Sequence, residues 1–292
     1  MTREARPPYD VVSIPMAVHR TNSRLFALPA PPAEVVRVAG TDYRLRRVFK
    51  HDFFAATCLY EAEGAGSRRI VVKLYRTQGL FGVPGRWLGR ASRDHELGIY
   101  AALEGVVGVP RCLGAVGETG LAIEYIDAAP LDHYDKPPAG TFDHLRAILD
   151  AVHGRGVAYV DGNKRSNILV DSAGNVHLID YQIAIRRREG WPAPLRWLVG
   201  RVVGYLQHKD LYHLCKHKRR LAPEELTGQE DALSRPRGGL HWLHRKLTKP
   251  YRALRRRYLR KRDQAGDLVS PTAELEDHYQ PEKDAWKAAR KD

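Results

Sequence analysis

Three side chains in the middle of the chain have the types and spacing to do chemistry together. Asp161 and Asn167 lie on a polar stretch that runs into the apolar residues Ile168 to Val170. Residues 171–175, Asp-Ser-Ala-Gly-Asn, supply turn chemistry, and a second apolar run from Val176 to Ile179 leads to Asp180. Two short strands would then carry a base candidate, Asp161, and two hard-cation ligand candidates, Asn167 and Asp180, to one end of a hairpin. Oxygen ligands in such a set suit a magnesium ion held against phosphates, the usual construction of a nucleotide-dependent phosphoryl-transfer site. The competing reading is plain turn chemistry, because Asp-Gly-Asn at 161–163 is common in turns.

Residues further upstream bear on that choice. Lys73 is centred in an apolar run, between Val71, Val72 and Leu74. A buried ammonium needs a partner, whereas simple alternation would put Lys73 on a wet face. Arg90 to Leu103 reads as a helix, and Glu96 among Leu97, Tyr100 and Ala101 could be that partner. The glycine-rich residues 79–89 between them read as a loop, with Phe81 and Trp87 suited to a lid or docking role.

The elements that must position these groups follow in order. Residues 1–34 hold Pro7, Pro8, Pro15, Pro29, Pro31 and Pro32 without periodicity and read as a partly disordered extension. Strands are expected over 43–49, 55–61 and 69–75, the last two joined by a turn at Gly64 to Gly66. A second hairpin is expected over 109–116 and 121–126. Phe142, Leu145, Leu149 and Val152 recur at helical spacing, with Thr141 as N-cap and Gly154 or Gly156 as the stop. The expected fold class is α+β in two lobes: a small antiparallel-sheet lobe with one inserted helix over 35–126, then a larger helical lobe over 127–232.

With Lys73, Glu96, Asp161, Asn167 and Asp180 in this order, residues 40 to 215 resemble the protein-kinase-like superfamily. Val71-Val-Lys73 is similar to its Val-Ala-x-Lys strand, and Glu96 to the glutamate that pairs with that lysine. The resemblance places Glu124 to Ile126 at the hinge, where backbone groups would hold the adenine of ATP. It makes Asp161 the catalytic-loop base, and Asn167 and Asp180 the ligands of Mg²⁺. Asp210, in Lys209-Asp-Leu-Tyr-His-Leu214, would brace the catalytic loop from below; the alternative is an N-cap on a surface helix.

The departures narrow the likeness. No Gly-x-Gly-x-x-Gly lies between the first two strands, so phosphate covering would fall to other backbone amides or to Lys50. Tyr159-Val160 stands where His-Arg precedes the aspartate, and Tyr181-Gln182 replaces Phe-Gly. Asn167 follows Asp161 by six residues instead of the family's five, which leaves Lys164 and Arg165 competing to neutralise the transferring phosphoryl group, with Lys164 preferred. No Ala-Pro-Glu follows. These differences resemble the atypical bacterial branch, including lipopolysaccharide core-sugar kinases and RIO-like kinases. The resemblance implies a kinase whose acceptor is a sugar of a lipid-linked glycan. An atypical serine/threonine protein kinase and a nucleotide-binding pseudokinase scaffold are the alternatives.

Charge and composition set the partners. The 292 residues carry a formal net charge of +14, which favours polyanions or phosphorylated small molecules. Three scattered cysteines without a Cys-x-x-Cys pattern argue for a reducing compartment, and the first residues lack the apolar core of a signal peptide. A cytoplasmic location is expected. Residues 237–262 are rich in arginine and lysine, contain no acid, and interleave Trp242, Leu247, Tyr251, Leu254 and Tyr258 at near-helical spacing. Such a basic amphipathic segment (233–265) could dock on an anionic leaflet, making the protein peripheral on the inner membrane face, or pack on the helical lobe. Nucleic-acid binding is less well supported, because no recognition module accompanies the charge. Residues 266–292 read as a mixed-charge tail.

Overall fold

The computed structural model describes residues 25–62, 68–79, 82–188 and 190–235, together with Arg257, Ser270 and Thr272. The expected turn at Gly64 to Gly66 and, apart from Arg257, the basic segment 237–262 lie outside the described residues.

Six strands form an antiparallel sheet: β1 (Val35–Val38), β2 (Thr41–His51), β3 (Ala55–Ala62), β4 (Arg69–Tyr75), β5 (Cys112–Val116) and β6 (Gly120–Glu124), in the order β1-β2-β3-β4-β6-β5. β1 was not expected from the sequence. It is short, and its hairpin turn is Ala39-Gly40, both at positive φ (49° and 82°), without the Asn-Gly pair that marks such turns.

Period-two alternation gives the sheet two faces, and both are covered. Cys58, Tyr60, Ile70 and Val72 point to a cluster with Ala27, Leu28, Tyr43 and Val48. Within the stretch expected to be an extension, Phe26, Ala27 and Leu28 are therefore buried. Arg76, itself buried, donates to the carbonyls of Phe26 (3.1 Å) and Phe53 (2.9 Å) and so ties this segment to the sheet. The opposite face, with Tyr75, Leu121 and Ile123, packs on Ile99, Tyr100 and Leu103 in a core that runs on into the helical lobe. Lys73 alternates onto this second, covered face.

The inserted helix α1 spans Gly85–Ala102, so it begins inside the stretch expected to be a loop. The glycines there serve close approach. A Cβ on Gly85 would lie 2.3 Å from backbone atoms of Thr77 and Gln78, and one on Gly89 would lie 2.5 Å from the Arg76 carbonyl. Glycine lets the helix seat directly on the end of β4.

The second lobe holds α2 (Thr141–Gly154), α3 (Ala193–Leu221) and α4 (Gly228–Ser234). α2 buries Phe142, Leu145, Ile148, Leu149 and Val152, as its helical spacing predicts, each worth about 1.5–3 kcal/mol of apolar burial. Thr141 is its first helical residue, and Gly140 stands at the N-cap with φ 77°. Two small sheets complete the lobe. One has the order β10-β9-β7, from β7 (Ala128–Pro130), β9 (Ile168–Asp171) and β10 (Val176–Leu178); the other pairs β8 (Val157–Ala158) with β11 (Ile185–Arg186). The architecture is α+β in two lobes, matching the protein-kinase-like arrangement that the resemblance implies. None of the helices among the described residues is long and apolar enough to cross a membrane.

One contact returns the chain's later part to the sheet lobe. The amide of Leu28 donates to His51 Nε2 (3.1 Å), so a neutral His51 carries its proton on Nδ1. Nδ1 lies 2.9 Å from Thr272 Oγ1 and 3.1 Å from Ser270 Oγ, and both hydroxyl residues are buried.

Candidate active site

The five residues aligned by the resemblance fall into two bonded groups at the junction of the lobes. In the first, Lys73 Nζ donates to both carboxylate oxygens of Glu96 (2.9 Å each) and to Asp180 Oδ1 (2.8 Å). Lys73 and Glu96 are 5% and 0% exposed, so Lys73 does not occupy the wet face that simple alternation allowed. The Tyr75 hydroxyl adds a further hydrogen bond to Glu96. Burial alone would lower the lysine pKa, but the carboxylates of Glu96 and Asp180 outweigh it and hold Lys73 well above its ordinary value. Burial also pushes Asp180 up, and Lys73, with the charges of Lys164 and Lys50, more than reverses that, leaving Asp180 below its usual range and ionised.

The second group lies on the loop before β9. Asn167 Nδ2 donates to Asp161 Oδ2 (3.0 Å), and Lys164 Nζ pairs with the same oxygen at 2.8 Å. The extra residue in this loop is absorbed by a 3-10 turn over Arg165–Asn167, so Asn167 still meets Asp161. Burial raises the Asp161 pKa, with Lys164 and Asn167 pulling against it. Of the two competing cations, Lys164 is the one that faces Asp161.

α3 positions this loop from beneath. Asp210 is 1% exposed, in the interior of the helix, so it is no surface N-cap. Its two oxygens accept from the backbone amides of Tyr159 (2.8 Å) and Val160 (2.8 Å). Val160 has φ 73°, a costly conformation for a β-branched residue, and the Asp210 bond holds it there. Gln207 donates to the carbonyls of His153 (3.1 Å) and Val157 (3.0 Å), and His217 Nε2 lies 2.9 Å from the Gly162 carbonyl. Sequence reasoning singled out Asp210 and missed Gln207 and His217. Their spacing of three and seven residues from Asp210, on one helical face, was the available signal.

Three tyrosines, whose meeting was not expected from the sequence, lock the two groups together. Tyr181 is fully buried and meets Tyr159 and Tyr100 edge-to-face, with ring centroids 5.2 Å and 5.4 Å apart. Tyr100 lies one turn after Glu96, Tyr159 two residues before Asp161, and Tyr181 directly after Asp180. The stack therefore ties the helix of Glu96 to both acid-bearing loops. Each such pair contributes about 0.5–1.5 kcal/mol beyond its buried area. The Tyr159 hydroxyl also donates to the Ile179 carbonyl (2.5 Å). Asp180 itself has φ 64°, a left-handed conformation that aspartate tolerates better than most residues.

The other expected residues lie outside these two groups. The Glu124 amide donates to the Arg111 carbonyl (2.9 Å) and its carboxylate accepts from the Arg111 amide (3.2 Å), so both are engaged within the sheet lobe. Ile126 is half-buried on the connection between β6 and β7. At the turn between β2 and β3, Asp52 Oδ1 accepts from the amides of Phe54 (2.7 Å) and Ala55 (3.0 Å), and Asp52 Oδ2 pairs with Lys50 at 2.8 Å. Lys50 and the amides of Phe54 and Ala55 are thus bonded to Asp52.

The donor set fits magnesium. No cluster of three or more His, Cys, Asp or Glu side chains occurs among the described residues. Mg²⁺ needs none, since it is commonly held by one or two protein oxygens with phosphates and water completing the shell. Asn167 turns its amide nitrogen to Asp161, which leaves its oxygen as the donor atom for a cation, and Asp180 is ionised.

No protein-family model matches the chain. It is 27% identical over 133 residues to a probable cAMP-dependent protein kinase catalytic subunit of Encephalitozoon cuniculi, across 42% of this chain and 34% of that one. The chain thus spans about a third of the length of this curated relative. Two structures of the Rio2 kinase from Chaetomium thermophilum, one titled as an ADP/Mg²⁺-phosphoaspartate complex, superpose with a TM-score of 0.43 and 16% identity. They cover 57% and 59% of this chain and 54% of theirs.

Proposed function

We propose that the chain is an ATP- and Mg²⁺-dependent phosphotransferase that moves the γ-phosphate to a hydroxyl of a sugar on a lipid-linked glycan such as lipopolysaccharide core. The observation that carries this reading is Lys73, buried between Glu96 and Asp180 while Asp161 and Asn167 are bonded on the adjoining loop. Asn167 and Asp180 would hold Mg²⁺, which supplies neutralisation of phosphate charge. Lys73, fixed by Glu96, orients the α and β phosphates, and the backbone near Glu124 and Ile126 receives the adenine. Asp161 accepts the proton of the acceptor hydroxyl, a role that its raised pKa suits and that is typically worth ~10²–10⁴-fold. Lys164, on the same oxygen of Asp161, is placed to neutralise charge on the transferring group.

A small acceptor is favoured by the connection after Asp180. Only residues 181–192 separate that acid from α3, and β11 within them is tied to β8, which leaves no long segment for docking a peptide. Residues 237–262 would bring the enzyme to an anionic leaflet. Radiolabelled γ-phosphate is offered with magnesium and fractionated cell extract. Label in the lipid and glycan fraction that vanishes in D161A and D180A is the expected result. Label in the protein pellet would instead identify a protein acceptor, and no magnesium-dependent turnover would leave a nucleotide-binding scaffold.

A further inference from the structure

Beside the catalytic loop lies a second concave site of about 440 Å³, lined by Asn163, Arg165, Lys216, His217, Arg219 and Arg220. Four of these six are lysine or arginine, and Arg165, Arg219 and Arg220 have no acidic partner among the described residues. Lys216, Arg219 and Arg220 stand three and four residues apart on α3, where like charges repel. The contrast with the neighbouring lysine is informative: Lys218 points to the other side of the helix, where Asp143 (3.3 Å) and Glu230 (3.0 Å) pair with it. Cations near the end of a helix do complement its dipole. That effect does not explain why Arg165, from a different element, converges on the same hollow. Burial and the charges of Arg220 and Arg219 lower the pKa of Lys216, a sign of local positive excess.

The hollow shares a wall with the active site. Lys216 Nζ donates to Asn163 Oδ1 (2.9 Å), and His217 meets the Gly162 carbonyl at 2.9 Å. Asn163 is two residues from Asp161, so their Cα atoms are at most ~7 Å apart. We infer that this hollow binds a phosphate group already present on the acceptor, holding it while a neighbouring hydroxyl faces Asp161. The acceptor role rests on the phosphotransfer reading above; the anion site does not. Planar guanidinium groups match phosphate oxygens two at a time, so the recognition is geometric as well as electrostatic.

The test is calorimetric titration of inorganic phosphate into the full chain, into R219A/R220A, and into K136A/R146A, which removes the same charge from ion pairs elsewhere. Affinity is expected to fall tenfold or more in R219A/R220A and to change little in the control. R219K/R220K should fall between, keeping charge but losing the planar fork. Phosphate bound at Lys73 or Lys164 survives in R219A/R220A and does not enter the difference. Equal binding by wild type and R219A/R220A, or an equal loss in the control, overturns the site. Sedimentation with phosphatidylcholine vesicles, with and without phosphatidic acid, identifies the source. Loss of retention in R219A/R220A places the phosphate on a lipid, whereas an effect only on free phosphate places it on a soluble acceptor. MgADP binding on the same samples separates the two readings. Phosphate binding dependent on Arg219 and Arg220 without MgADP binding removes the acceptor role and keeps the anion site. MgADP binding without it removes the anion site alone.

Discussion

Lys73 Nζ and Asp180 Oδ1 are 2.8 Å apart, so an ion pair joins the sheet lobe to the loop that carries the second acid. The same lysine neutralises Glu96, which has no contact with water. Removing Lys73 would strand a buried carboxylate, and breaking such a pair typically costs about 3–5 kcal/mol. Lys73→Met is therefore expected to lower unfolding stability by that order as well as to abolish phosphotransfer. Lys73→Met combined with Glu96→Gln should recover a large part of the lost stability and none of the activity. Urea unfolding of the single and double variants checks this. A fully additive double variant would mean that Glu96 finds its neutralisation elsewhere.

Asp210 acts through the backbone of the loop that carries Asp161. An asparagine in its place keeps the shape but presents an amide nitrogen to one of the two N–H groups of Tyr159 and Val160. Losing one buried acceptor costs ~1–3 kcal/mol, and the strained Val160 is then free to relax. Asp161 would shift with it, and a displacement of about 1 Å can cost ~10²-fold in rate. Asp210→Asn is expected to depress kcat much more than the KM for ATP. A variant that loses stability but keeps kcat would show that Asp210 supports the fold alone.

Asp161, Asn167 and Asp180 were legible in the sequence because each sits on a loop beside an unambiguous apolar run, and Lys73 and Glu96 because each is a charge set among apolar neighbours, inside a strand and a helix. Three kinds of feature were not. Gly85 and Gly89 look like loop residues, and only the closeness of α1 to the Arg76 carbonyl shows that they are packing positions. Tyr100, Tyr159 and Tyr181 are far apart in the chain, so nothing local announces that their rings meet. Arg165 reads as a rival to Lys164 until the 3-10 turn sends it to the other side of the loop with Arg219 and Arg220. In each case the missing information is a tertiary contact, which periodicity does not encode.

A pH profile tests the Asp161 assignment. A base must be ionised to accept a proton, so activity is present above its pKa and falls as pH drops through it. Burial raises that pKa from the ordinary 3.8, and the Lys164 ammonium opposes the rise. Lys164→Ala removes the opposing charge, so the acid limb of kcat/KM is expected to move to higher pH while the maximum falls. Profiles of wild type and K164A under identical magnesium and salt decide it. A limb that stays in place, or moves to lower pH, would remove Asp161 from the base role.

The tyrosine stack yields a prediction of the opposite sign. Tyr181 is fully buried and its hydroxyl makes no hydrogen bond among the described residues. Leaving such a group unsatisfied costs about 1–3 kcal/mol, and a phenylalanine of the same shape removes it. Its ring would still meet Tyr159 and Tyr100 edge-to-face, since those contacts use the ring and not the oxygen. Tyr181→Phe is therefore expected to stabilise the protein by about 1 kcal/mol with activity retained, whereas Tyr181→Ala should cost about 3–5 kcal/mol by opening a cavity. Thermal unfolding of both variants checks the pair of signs. Destabilisation by Tyr181→Phe would mean that the hydroxyl is bonded to a buried water, and that the stack depends on that bond as well as on its rings.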